Sequence, residues 1–159
     1  MLWTDPGVRR FLWDGEFIPL EKAEEVVRAG IDSFDRHGFG FWGVRERERQ
    51  GLIGFGGFRF VEHGRDVEIL YGIDPRFWGR GYATEAAQAL IDWAFRETAL
   101  TRIVAGADAP NRASFRVLEK LGMRYEGLRT TAAGETPYWV IPSEESLTGA
   151  PHDNPEKEK

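Results

Sequence analysis

Two glycines one residue apart, Gly79 and Gly81, sit in the segment Trp78-Gly-Arg-Gly-Tyr-Ala83 between a strand pattern and a helix pattern. Glycine adopts backbone angles closed to other residues, so this spacing allows a tight turn with its main-chain N–H groups exposed. A helix beginning immediately afterwards adds partial positive charge at its first turn. The chemistry on offer is a cradle for a phosphate or pyrophosphate. A dinucleotide fingerprint would need a third spaced glycine and an acidic ribose partner about 20 residues on. A P-loop would close with Gly-Lys-Ser/Thr. Neither is present, and the plain alternative is an ordinary strand-to-helix turn.

The flanking elements are strongly patterned. Val67, Ile69, Tyr71 and Ile73 alternate with their neighbours as in a strand, and Asp74-Pro75 stops it, because proline gives the ladder no amide. From Ala83 the period changes: Ala83, Ala86, Ala87, Leu90, Ile91, Ala94 and Phe95 form one helical face. Upstream, Asp5-Pro6 opens a short amphipathic turn carrying Val8, Phe11 and Leu12. A helix is expected over residues 20–34 with Leu20, Ala23, Val27, Ile31 and Phe34 on one face. Strands are expected from Gly38 to Val44 and Leu52 to Val61, joined by a charged hairpin tip. Downstream, Arg102 to Gly106 reads as a strand, and Pro110-Asn111 begins a helix that Gly122 ends. Met123 to Arg129 and Thr136 to Ile141 complete the pattern as two antiparallel strands. The fold class is α+β with a mixed, mostly antiparallel sheet. Trp42, Phe55, Phe58, Phe60 and Trp139 are expected in its core.

With 159 residues the chain suits one domain, residues 1–142, with 143–159 expected as a disordered acidic tail. The net charge is −5, and that tail holds five acids against two lysines, leaving the body near −2. Such a balance argues against broad binding to nucleic acid or to an anionic membrane. There are no cysteines, which excludes disulfides, thiol catalysis and thiolate metal sites. His37, His63 and His152 are too scattered to ligate a metal together. No membrane-spanning run or signal peptide is visible, so the expected location is the cytoplasm.

Taken together, Trp78-Gly-Arg-Gly-Tyr-Ala-Thr-Glu-Ala86 after a strand and Asn111-Arg-Ala-Ser-Phe-Arg-Val-Leu-Glu-Lys-Leu-Gly-Met-Arg-Tyr-Glu-Gly127 resemble two motifs of the GNAT superfamily of N-acetyltransferases. The branch most similar is that of the ribosomal-protein N-acetyltransferases RimJ and RimL. The resemblance covers about residues 5–141. The usual first strand is missing, and its neighbour would need other cover; a homodimer is one arrangement that provides it.

The resemblance implies transfer of the acetyl group of acetyl-CoA to a primary amine, on a protein N-terminus or a small molecule. It implies no metal. The pantetheine arm would meet main-chain groups of Tyr71, Gly72 and Ile73, and the pyrophosphate the amides of Gly79, Arg80, Gly81, Ala83 and Thr84. The Arg80 side chain either assists or is simply solvated. Trp78 departs from the superfamily's usual residue at the loop's start, but tryptophan is usual in this branch. Asn111 is an N-cap, a pantetheine ligand, or both. Ser114 is either a helix-surface residue or the group that meets the leaving thiolate, since Leu118 stands where many members have a tyrosine acid. Glu68 is the candidate general base, with a salt-bridged strand glutamate as the alternative and Glu62 and Asp66 as substitutes. Trp3 and Trp13 lie where members often wall the acceptor site. A non-catalytic acyl-CoA sensor is the rival to an enzyme.

Overall fold

The computed structural model describes residues 2–12, 15–48, 50–61, 65–132 and 134–148. Helices α1 (Pro6–Leu12) and α2 (Leu20–His37) precede strands β1 (Phe41–Val44), β2 (Gly54–Phe60) and β3 (Val67–Ile73). There follow a 3-10 turn at Pro75–Phe77, α3 (Tyr82–Glu97), β4 (Arg102–Gly106), α4 (Arg112–Lys120), β5 (Arg124–Thr131), β6 (Gly134–Pro142) and α5 (Glu144–Thr148). The six strands form one sheet in the order β1-β2-β3-β4-β6-β5. Every neighbouring pair is antiparallel except β3 and β4. This is the α+β, mostly antiparallel sheet expected from the residue pattern.

The core lies where α3 and α4 cover one face of that sheet. Ala87, Ile91 and Ala94 of α3 and Leu118 of α4 are almost wholly buried against Val67 and Ile69 of β3 and Ile103 and Ala105 of β4. A smaller cluster, Ile53, Ile73 and Phe77, packs under the turn that follows β3. Small residues on α3 let the helix axis approach the strands, which fixes its N-terminus over the end of β3.

Three expectations change. On α2, Ala23 and Gly30 are buried while Leu20, Val27 and Ile31 are more than half exposed, because β1 meets only one edge of the apolar stripe. Phe60 is 44% exposed at the end of β2, where the His37 and Phe39 rings cover one side of it, whereas Phe55, Phe58 and Trp139 are buried as expected. Residues 144–148, expected as disordered tail, form α5, with Ser143 Oγ accepting from the Ser146 N–H (3.2 Å). Residues 149–159 lie outside the described residues. Among the described residues, no helix is long and apolar enough to cross a membrane.

Candidate active site

β3 has two edges, and they are treated differently. Along one, every residue from Val67 to Ile73 is in register with β2. Along the other, a single pair, Glu68↔Val104, is in register with β4, although β3 runs on to Ile73. The strands part beyond that pair. A cleft of about 1460 Å³ opens between them and is closed by the turn after β3, the start of α4, and α1.

Hydrogen-bond parity says which main-chain groups face this gap. The Asp74 N–H donates to the Ile53 carbonyl (2.8 Å), and the Asp66 carbonyl accepts the Val61 N–H (2.9 Å). Even-numbered residues therefore turn their polar groups toward β2, and alternation turns those of Ile69, Tyr71 and Ile73 toward the cleft. Gly72 lines the cleft, but its N–H and C=O belong to the β2 side, opposite Phe55. This separates the three residues expected to meet the pantetheine arm: the polar groups of Tyr71 and Ile73 face it, and those of Gly72 face away.

The turn is built from local hydrogen bonds. Asp74 accepts from the Arg76 N–H (2.9 Å) and grips its guanidinium, and the Trp78 indole N–H donates to the Ile73 carbonyl (2.6 Å). Hydrogen bonds from the side chain and then the backbone of Arg76 hold the Asp74 carboxyl down at about 2. Gly79 (φ 75°) and Gly81 (φ 84°) are both left-handed, and a Cβ on either would project into open space. Gly81 caps α3 without a side chain, so the first-turn amides of that helix are left for a ligand. Gly79, Gly81, Ala83 and Thr84 line the cleft, and Arg80 does not. Its guanidinium lies 5.5 Å from the centre of the Phe77 ring.

At the opposite wall, Asn111 caps α4 by accepting the Ser114 N–H (3.2 Å), and both residues line the cleft. Ser114 lies beside the Tyr71 hydroxyl; burial pushes that phenol up to about 12, with the serine contact pulling the other way. Leu118, one turn on, is buried in the core.

Alternation sends Glu68 to the other face of β3 from Tyr71. Glu68 is 4% exposed, and its carboxylate is engaged at both oxygens. Oε2 accepts from Arg59 Nε (3.0 Å) and Nη2 (2.9 Å), and Oε1 from the Gly106 N–H (3.1 Å). Tyr138 stands beside it, raised to about 12 by burial and then by the Glu68 charge. Asp66 is held by Arg102 and Arg129. Trp3 packs edge-on against Phe55 (5.7 Å) on this same face. Trp13, Glu62 and His63 lie outside the described residues. The sequence pattern did not single out Arg59, Tyr138 or the Tyr71 hydroxyl. Arg59 is paired to Glu68 across the hairpin, a relation that only strand register reveals.

The residues fit acetyl-CoA on structural grounds: an open strand edge for an amide-bearing arm, then a side-chain-free anion cradle at a helix N-terminus. Among the described residues no group of acidic or histidine side chains is gathered to hold a metal.

Comparison with known proteins agrees. Residues 1–124 match the family model described as "Acetyltransferase (GNAT) domain". The N-acetyltransferase p20 of Bacillus licheniformis is 31% identical over 128 residues, 79% of this chain and 71% of that protein. A GNAT-family acetyltransferase from Bacillus anthracis superposes with a TM-score of 0.73 at 27% identity, covering 89% of this chain and 84% of that one. A Salmonella typhimurium acetyltransferase that modifies the N-terminal serine of ribosomal protein L7/L12 shares the fold, with a TM-score of 0.70 at 19% identity over 81% and 78% of the two chains. The chain thus belongs to the GNAT acetyltransferase family, RimJ/RimL-like in fold, and is an acetyl-CoA-dependent acyltransferase.

Proposed function

We propose that the protein transfers the acetyl group of acetyl-CoA to a primary amine by direct attack on the thioester. The observation that carries this reading is the open edge of β3 running into the glycine cradle. Tyr71 and Ile73 offer main-chain hydrogen bonds to the pantetheine arm, and the amides of Gly79, Gly81, Ala83 and Thr84 receive the pyrophosphate. Asn111 uses Oδ1 for its cap, which leaves its NH₂ for the arm.

The amine comes from the Glu68 face, past α1 and Trp3. Its nitrogen forms a bond to the thioester carbon, the C–S bond breaks, and the nitrogen gives up a proton. The developing oxyanion is met by a main-chain N–H of the open edge. A thiol titrates near 8.5, well below the range of a buried tyrosine or a serine. Ser114, backed by Tyr71, therefore stabilises the thiolate by hydrogen bonding and need not transfer a proton to it. An α-amino acceptor, with pKa about 7.7–8.0, sheds its proton to water readily, whereas a lysine near 10.4 needs a base. Glu68 would serve as that base only by losing the charge that pairs it with Arg59, which favours an α-amino or similarly weakly basic acceptor. Positioning supplies much of the rate. A cytoplasmic location would supply the acetyl-CoA that this reaction consumes.

Calorimetry with acetyl-CoA, followed by a panel of N-terminal peptides, polyamines and amino sugars with a free-thiol assay, tests the reading. Micromolar binding with amine-dependent thiol release is expected. Binding without release from any amine would remove the amine acceptor from the proposal, and a preference for lysine over α-amino acceptors would remove the account of proton loss.

A further inference from the structure

The β3–β4 ladder stops for an identifiable reason. The Ala107 N–H donates to the Pro137 carbonyl (3.1 Å), so odd-numbered residues at the end of β4 turn toward β6. Alternation turns the Gly106 N–H toward β3, as the next donor of the parallel ladder after the Glu68↔Val104 pair. Its partner is not a β3 carbonyl but the Glu68 carboxylate, at 3.1 Å. Arg59 holds the other oxygen of that carboxylate from across the hairpin. Gly106 is what makes room: a Cβ there would lie 2.9 Å from Glu68 Oε1 and 2.9 Å from the Tyr138 ring. The ring is itself pinned beneath the Arg129 guanidinium, 4.5 Å from its centre.

We propose that Glu68 is a positioning residue which ends the β3–β4 ladder: by taking the Gly106 N–H, its carboxylate keeps β4 off the next rung and leaves the Tyr71 N–H and C=O and the Ile73 N–H open to the cosubstrate. A buried amide without an acceptor is costly. With the carboxylate gone, the Gly106 N–H turns to the β3 backbone, the strands pair further, and the cleft narrows at its apex. The inference rests on the reading that this edge seats the pantetheine arm, and it gives Glu68 a task distinct from proton abstraction.

Glu68→Ala and Glu68→Gln separate the two roles. The alanine variant is expected to weaken coenzyme A binding by about tenfold or more, the scale of a lost hydrogen bond to a charged group, and to change the exchange rate of the Gly106 amide by NMR. Glutamine keeps an oxygen for that amide, so its coenzyme A affinity stays within about threefold and its pH–rate profile keeps the wild-type shape. Gly106→Ala, which pushes Glu68 aside, should weaken coenzyme A binding like the alanine variant; it carries the test if Glu68→Ala fails to fold. Unchanged coenzyme A affinity in Glu68→Ala or Gly106→Ala would overturn the proposal. So would a glutamine variant that binds normally but loses turnover together with the acid limb of its pH profile, the signature of a general base. If the wild-type chain fails to bind coenzyme A, the reading of the cleft falls first and the proposal with it.

Discussion

At its start β3 is tied to its neighbours by charge, and at its end it is left open. Asp66, just before the strand, pairs with Arg102 at the head of β4 and with Arg129 on β5, and Glu126 closes the ring by pairing with both arginines. Five and seven residues on, main-chain groups of Tyr71 and Ile73 face a cleft, and two glycines extend that open edge into a helix N-terminus without side chains. The same strand thus satisfies its polar groups internally at one end and, apart from the Ile73 carbonyl held by Trp78, keeps them for a ligand at the other. Binding sites of this kind depend on stopping a ladder as much as on building one. The closed end fixes β3 and β4 together so that the open end can stay apart.

The sharpest way to break the comparison is to fill the open end. Gly81→Glu sets a side chain at φ 84°, where any L-residue is strained, and aims it with a negative charge into the space meant for pyrophosphate. Coenzyme A binding by calorimetry should fall by about 100-fold or more, because bulk and charge repulsion in the cradle cost a few kcal/mol. Retained affinity would move the pyrophosphate elsewhere.

A smaller loss is expected across the cleft. Ser114→Ala removes the proposed thiolate partner, so kcat should drop by roughly 10-fold, about 1.4 kcal/mol, while coenzyme A affinity changes little. Tyr71→Phe should cost a similar factor. If the neighbouring hydroxyls act as one unit, the double variant should lose no more than the larger single loss. Strict additivity would mean they work independently.

The two ends were unequally legible in the sequence. The open end is made of consecutive residues, so strand alternation, the Asp74-Pro75 stop and the glycine spacing announced it, as Pro110-Asn111 announced the helix carrying Ser114. Its fine geometry was less visible. That Gly72 points its amide away depends on which neighbour β3 pairs with, and the Tyr71 hydroxyl meets Ser114 only once α4 has folded back over the sheet. The closed end is made of residues up to 63 positions apart (Asp66 to Arg129), which no local pattern joins. Likewise Arg59, Gly106 and Tyr138 come to Glu68 from three other strands, so a glutamate on a strand looked as much like a free base as like a bound one. The exposure of Leu20, Val27 and Ile31 escaped for the same reason: the period revealed an apolar stripe, but not how little of it β1 reaches.

Loosening the closed end should cost stability before it costs binding. Arg102→Met breaks two ion pairs while leaving the methylene stem to pack. Because the arginine side chain is 43% exposed, solvent screens the pairs, and a loss of about 1 kcal/mol is the expected scale. That corresponds to a drop of about 2–4 °C in Tm for a chain of this size. The drop should shrink as salt is added. A change in coenzyme A affinity larger than the stability effect would show the two ends to be coupled more tightly than the geometry implies.

The smallest expected effect is in acid, at the turn that begins the open end. Asp74 titrates at about 2 in the folded protein instead of its ordinary 3.8, because Arg76 bonds the carboxylate through its side chain and its backbone N–H. A carboxyl whose folded value is depressed lends stability that is fully present above its unfolded value. That contribution is lost as pH falls through the folded value, so the window here runs from about pH 4 down to about 2. Asp74→Asn keeps the shape and an acceptor for the Arg76 N–H but removes the charge. Its Tm should fall slightly below wild type at neutral pH, and the two curves should converge below pH 2. Curves that stay parallel throughout would mean that Asp74 holds the turn by its hydrogen-bond geometry alone, and that the ion pair with Arg76 adds nothing to the open end.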